Sequence, residues 1–109
     1  MKLLIVGSRS IKEFDLSPHI SEETEVILSG GAMGIDRLAE EYADKHRLSK
    51  IILRPRYKVY GTFAPLKRNM ELVQLADRVL IVWDGRSKGT AFTIKYAQKL
   101  GKSTKIIVM

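Results

Sequence analysis

Four stretches of this chain hold residues whose types and spacing could do chemistry. "GSRS", Gly7 to Ser10, combines a close backbone approach at glycine with two hydroxyls and the permanently charged fork of Arg9, a set suited to phosphate. "LSGGAMGID", Leu28 to Asp36, places Gly30, Gly31 and Gly34 where they can turn N–H groups toward an anion, and a helix starting there adds partial positive charge. "RPRYKVYGTFAPLKRN" carries Arg54, Arg56, Tyr57, Tyr60, Arg68 and Asn69 on or beside one long loop, and its tyrosines could cover a base or ribose. In "WDGRSKGT", Asp84 and Gly85 make a turn, and Ser87, Lys88, Gly89 and Thr90 open a helix.

Taken singly, each stretch has a plainer explanation. Gly30 and Gly31 can merely permit a tight turn, Ser87 or Thr90 can be a helix N-cap, and Asp36 can complement a helix dipole. Trp83 suits the top of a core, and Tyr42 and Tyr96 sit at helical packing positions. Function is favoured only if all four stretches meet at one place.

The elements between them predict that they do. Lys2–Val6, Glu25–Leu28, Lys50–Leu53, Arg78–Trp83 and Thr104–Val108 are short apolar runs without polar alternation, the pattern of strands buried on both faces of a parallel sheet. Ile35, Leu38, Ala39, Tyr42 and Ala43 recur at helical spacing, with Glu40, Glu41, Asp44 and Lys45 opposite. Leu66, Met70 and Val73, widened by Leu72 and Ala76, mark a second helix with Pro65 in its first turn. Phe92, Tyr96 and Leu100, beside Ala97, mark a third, stopped by Gly101. The first connection, Ile11–Glu23, has room for one short helix around Ser17-Pro18. Strand alternating with helix predicts an α/β, three-layer, Rossmann-like doubly wound sandwich with a mainly parallel five-stranded sheet. The strand order is not readable from this pattern. In such a fold ligands bind at the carboxyl ends of the strands, and the four stretches follow the first four strands.

Composition narrows the chemistry. The 109 residues predict one domain, and the absence of cysteine excludes disulfides, thiolate catalysis and cysteine-based zinc sites. His19 and His46 stand apart, so no metal site and no cofactor is expected. No segment has the apolar length of a membrane span, and "MKLLIVGSRS" lacks the form of a secretion signal, which predicts a cytoplasmic protein without membrane partners. The net charge of +7 favours anionic partners, although many lysines sit near element ends where they also read as solvated faces.

Together, "GSR", "SGGAMGID", the pair Arg68-Asn69 and "ADRVLIVWDGRSKGT" resemble the SLOG superfamily of Rossmann-like nucleotide-binding domains, and within it the small stand-alone YspA-like proteins. The resemblance spans nearly the whole chain. "SGGAMGID" is also similar to a segment of the DprA family, which binds single-stranded DNA, and the overall plan is similar to the Lonely Guy phosphoribohydrolases. The resemblance implies a pocket for a nucleotide-derived ligand, with phosphate on Gly30, Gly31, Gly34 and the helix after them, beside Ser29. It further implies Gly7, Ser8 and Arg9 along one side, and Asp84, Gly85, Ser87, Gly89 and Thr90 along the other. Arg68 and Asn69 would reach in from the second helix, and Asp36 would accept a ribose hydroxyl or hold Arg9.

The chain departs from the hydrolase branch at one position. Where the phosphoribohydrolase loop PGGxGTxxE has its glutamate, this chain has Leu38, and an apolar side chain cannot protonate a leaving base or orient water. Binding or sensing of a nucleotide-derived ligand is therefore the leading expectation. N-glycosidic hydrolysis, with Asp36 or Asp84 as the carboxylate, is the first alternative. Single-stranded nucleic acid binding is the second; it would be strongly salt-dependent, and the aromatic residues form no evident stacking row. Leu72 and Leu75 could serve a homodimer or fill the core.

Overall fold

A computed structural model describes all 109 residues. The five apolar runs form one parallel sheet of β1 (Lys2–Gly7), β2 (Val26–Ser29), β3 (Ser49–Ile52), β4 (Arg78–Trp83) and β5 (Ser103–Val108), in the order β3-β2-β1-β4-β5. The helices are α1 (Ile35–Lys45), the single turn α2 (Tyr57–Tyr60), α3 (Ala64–Leu75) and α4 (Lys88–Lys99). The first connection holds only a 3₁₀ turn, Ser17–His19, with Pro18 inside it. The arrangement is the expected doubly wound α/β sandwich.

Alternation along the central strands divides the core. Leu3, Ile5, Ile27, Leu80 and Val82 meet Ile35, Ala39 and Ala43 of α1, together with Ile11 and Leu16. Leu4, Val6, Leu28, Val79 and Ile81 point to the other face and meet Leu72 and Val73 of α3, Ala76 at its C-terminal cap, and Ala97 of α4. Right-handed crossovers account for the division. Moving outward from β1 through β2 to β3 places connections on one face, and returning across to β4 and β5 places them on the other.

Three details differ from the sequence pattern. The two end strands are not buried on both faces: Ile51 of β3 and Ile106 and Val108 of β5 stay exposed because an edge strand lacks a neighbour. The buried side of α3 runs through Ala64, Arg68, Asn69, Leu72 and Val73, so two polar residues lie where Leu66 and Met70 were expected, and these are only half-buried. The buried side of α4 is Thr90, Thr93 and Ala97, leaving Leu100 exposed. Leu72 belongs to the core and Leu75 is exposed. No helix is long and apolar enough to cross a membrane.

Candidate ligand-binding site

The winding reverses between β1 and β4, and a crevice at the carboxyl ends of two such strands is where this topology leaves room for a ligand. A pocket of about 340 Å³ opens there. That volume lies at the lower end of the roughly 300–1,000 Å³ of small-molecule sites. Its walls come from the loop after β1 (Gly7, Arg9, Ser10), from the start of α1 (Ala32, Asp36), from α3 (Arg68, Asn69) and from the loop after β4 (Asp84, Ser87, Gly89, Thr90). Val6, Pro65 and Leu66 add an apolar border.

Nine of the expected site residues therefore line the pocket, whereas Ser8, Ser29, Gly30, Gly31, Gly34 and Gly85 do not. Ala32, Val6, Pro65 and Leu66 were missed. The signal for Pro65 was its spacing, since residues 65, 68 and 69 share one helix face.

Ser8, Gly34 and Gly7 fix the loops to one another. The Ser8 amide donates to the Val82 carbonyl at 3.1 Å, and the Ser8 hydroxyl accepts from the Asp84 amide at 2.9 Å. Gly34 has φ 72° and packs so closely on the loop after β1 that a Cβ would lie 2.5 Å from the Ser8 carbonyl oxygen. Gly7 is equally confined, between the Val82 carbonyl and Ile35.

The loop amides take the chain's own acceptors. The Gly31 amide donates to the Ser29 hydroxyl at 3.2 Å, and the Ala32 amide donates to Asp36 Oδ2 at 3.2 Å. In the second loop, the amides of Arg86 and Ser87 donate to Asp84 Oδ1 at 2.8 and 2.9 Å, and the Ser10 hydroxyl donates to Oδ2 at 2.8 Å. Among the amides of the first glycine loop, those of Gly31 and Ala32 thus have acceptors within the protein. Each glycine loop carries a local carboxylate, Asp36 or Asp84, that accepts from its amides.

The two carboxylates are shifted in opposite directions. Burial pushes Asp36 up to about 6, opposed by the Ala32 N–H and the Arg68 charge and reinforced by Glu40. The Ser87 and Arg86 N–H groups, with the Ser10 hydroxyl, hold Asp84 well below the usual carboxylate range. Asp36 does not hold Arg9, which is exposed at the rim and makes no side-chain hydrogen bond within the protein.

Arg68 is the buried cation of the site. Its Nη1 donates to the Gly30 carbonyl and its Nε to Asn69 Oδ1 at 2.7 Å. Asn69 Nδ2 donates to Thr93 Oγ1 at 2.9 Å, and the Thr93 hydroxyl donates to the Gly89 carbonyl at 3.0 Å. This chain of bonds ties the end of β2 to α3 and to the start of α4. The Nη2 edge of Arg68 takes no protein acceptor while the guanidinium lines the pocket. Burial draws Arg68 below its ordinary value, with Asp36 opposing, and a guanidinium remains charged under such a shift.

Arg68 also lines a second, smaller hollow of about 110 Å³ with Arg54, Arg56, Tyr60 and Glu71. Tyr57 is exposed and lies outside both pockets, so neither tyrosine covers the main one. Trp83 is half-buried against the core and donates from Nε1 to the Ser87 carbonyl at 3.0 Å. Ser87 is the N-cap of α4, accepting from the Thr90 amide at 3.3 Å. No family model, curated protein or solved structure matches the chain.

Proposed function

We propose that this protein binds or senses a nucleotide or nucleotide-derived ligand, as its resemblance to the SLOG superfamily implies, in the pocket between β1 and β4. The observation that carries the reading is Arg68, a buried guanidinium fixed by Gly30 and Asn69 that keeps Nη2 without a protein acceptor and lines the pocket at the switch point of the sheet. A fixed, desolvated guanidinium is a strong anion partner because the ligand does not have to order it. Arg9 at the rim adds a second positive charge, and the glycine loops position the walls. Calorimetric titration with AMP, NAD and ADP-ribose tests the proposal. Saturable binding lost in Arg68→Met supports it, and heats indistinguishable from dilution for every ligand refute it.

The placement of Asp36 favours N-glycosidic hydrolysis as a second reading: it lines the pocket, and burial pushes its carboxyl up to about 6, within range for a group that transfers a proton near neutrality. Asp84, held ionised by its loop, is unsuited to that role. Base release that vanishes in Asp36→Asn and survives in Asp84→Asn would establish the enzyme; bound but uncleaved nucleotide would establish the sensor.

A further inference from the structure

The Asp36 side chain is almost fully buried, yet only one of its oxygens is matched. Oδ2 accepts the Ala32 amide, while Oδ1 has no donor and no access to solvent. Buried acceptors are rarely left in this state, since loss of hydration without a replacement bond is unfavourable. The neighbouring cation does not supply the missing partner. Arg68 and Asp36 both border Gly30, but no nitrogen of the guanidinium comes within ion-pair distance of the carboxylate, and its donors are directed at Gly30, Leu53 and Asn69. Asp84, the other acid of the pocket, differs in having both oxygens occupied. Asp36 is also the only side chain of the pocket wall with an unpaired buried atom; the other two, His19 Nδ1 and Thr24 Oγ1, lie elsewhere.

We propose that Asp36 is the specificity-determining residue of the pocket, reading a hydrogen-bond donor that the ligand carries beside the anion held by Arg68. This rests on the pocket being a nucleotide site. The donor is an O–H or N–H group, supplied either by a sugar hydroxyl or by an exocyclic amino group of a base. On binding, the Asp36 side chain turns Oδ1 toward the pocket that it lines, and the ligand donor replaces the hydration that burial removed.

Calorimetric titrations at pH 7.5 of the full chain and of Asp36→Ala with AMP, 2′-deoxy-AMP, 3′-deoxy-AMP, IMP and inorganic phosphate test it. In the native protein, one of the three altered nucleotides is expected to bind more weakly than AMP by on the order of 10- to 100-fold, the size of a hydrogen bond to a charged partner. In Asp36→Ala that difference should disappear, while inorganic phosphate binds both proteins alike. The deoxy forms and IMP distinguish sugar from base as the source of the donor. Equal affinity of native protein for all four nucleotides overturns the inference but leaves the nucleotide site standing, as does discrimination that persists in Asp36→Ala. Absence of binding by every nucleotide and by phosphate overturns both. Asp36→Asn, which retains an acceptor for the Ala32 amide, serves if Asp36→Ala fails to give a cooperative thermal transition; it should then change the ranking of the four nucleotides.

Discussion

Arg68 and Asp36 meet over the bare Cα of Gly30 without forming an ion pair: a Cβ at Gly30 would lie 2.6 Å from Arg68 Nη1 and 2.8 Å from Asp36 Oδ2. The missing side chain is what allows a buried cation and a buried acid to share one corner of the pocket. The corner is polar, and its two charged groups act on each other without direct contact.

Gly30→Ala should therefore move the Arg68 guanidinium. Overpacking of this kind costs about 1–3 kcal/mol, and urea unfolding is expected to show a loss in that range. Ligand affinity should fall further than stability does. Gly89→Ala is the contrast, because a Cβ there meets nothing within 4 Å and the residue lies in the first turn of α4. It should stabilise the fold by about 0.5–1 kcal/mol. A loss of stability in Gly89→Ala would contradict the described start of α4.

The Asp36 carboxyl sets a pH dependence opposite to that of most acids. Its folded value of about 6 exceeds the ordinary 3.8, so between these pH values the folded state binds more protons than the unfolded, and stability contributed by Asp36 falls as pH rises. The full effect is about 3 kcal/mol. Asp77 and Asp84 are shifted down and act in the reverse direction, their stabilisation being lost as pH falls below the usual carboxylate range. Urea midpoints for native protein and Asp36→Asn from pH 4 to 8 isolate the Asp36 contribution. The variant should gain on the native protein as pH rises through 6, and parallel curves would refute the buried acid.

Asp84 acts on its loop rather than on the whole fold. Its Oδ1 accepts the Arg86 and Ser87 amides in a partly exposed turn. In Asp84→Ala these two amides should exchange with deuterium faster by at least tenfold, while amides of β1 and β4 keep their protection. Unchanged exchange at Arg86 and Ser87 would show that the carboxylate does not hold the turn.

Thr93→Val keeps the shape of a fully buried side chain and removes its hydroxyl. Asn69 Nδ2 then loses its acceptor inside the protein, at a cost of about 1–3 kcal/mol. Because Asn69 also holds Arg68 Nε, AMP affinity is expected to fall together with the thermal midpoint. A variant as stable as the native protein would mean that the polar chain from Gly30 to Gly89 is not coupled.

The α/β alternation, the five strands and the loops that border the pocket were legible in the sequence, since burial in a parallel sheet demands continuous apolar runs and glycine marks their exits. Gly7, Asp36, Arg68, Asn69, Asp84 and Ser87 could be singled out in the same way. Less visible was the buried face of α3, where Arg68 and Asn69 occupy positions that periodicity assigned to Leu66 and Met70. Polar side chains enter a buried face only when partners from distant elements await them, and Thr93 and the Gly30 carbonyl are such partners.

What the sequence determined by itself was the set of elements and the chemical character of their ends. The tertiary structure alone decided the strand order, the reversal between β1 and β4, and which acceptor each loop amide takes. A hydrogen bond requires atoms to lie within about 3 Å, and that distance is set by packing between segments far apart in the chain. Ser8 and Ser10 reach Asp84 across 76 and 74 residues. The Ala32 amide of one glycine-rich loop and the Arg86 and Ser87 amides of the other consequently meet Asp36 and Asp84.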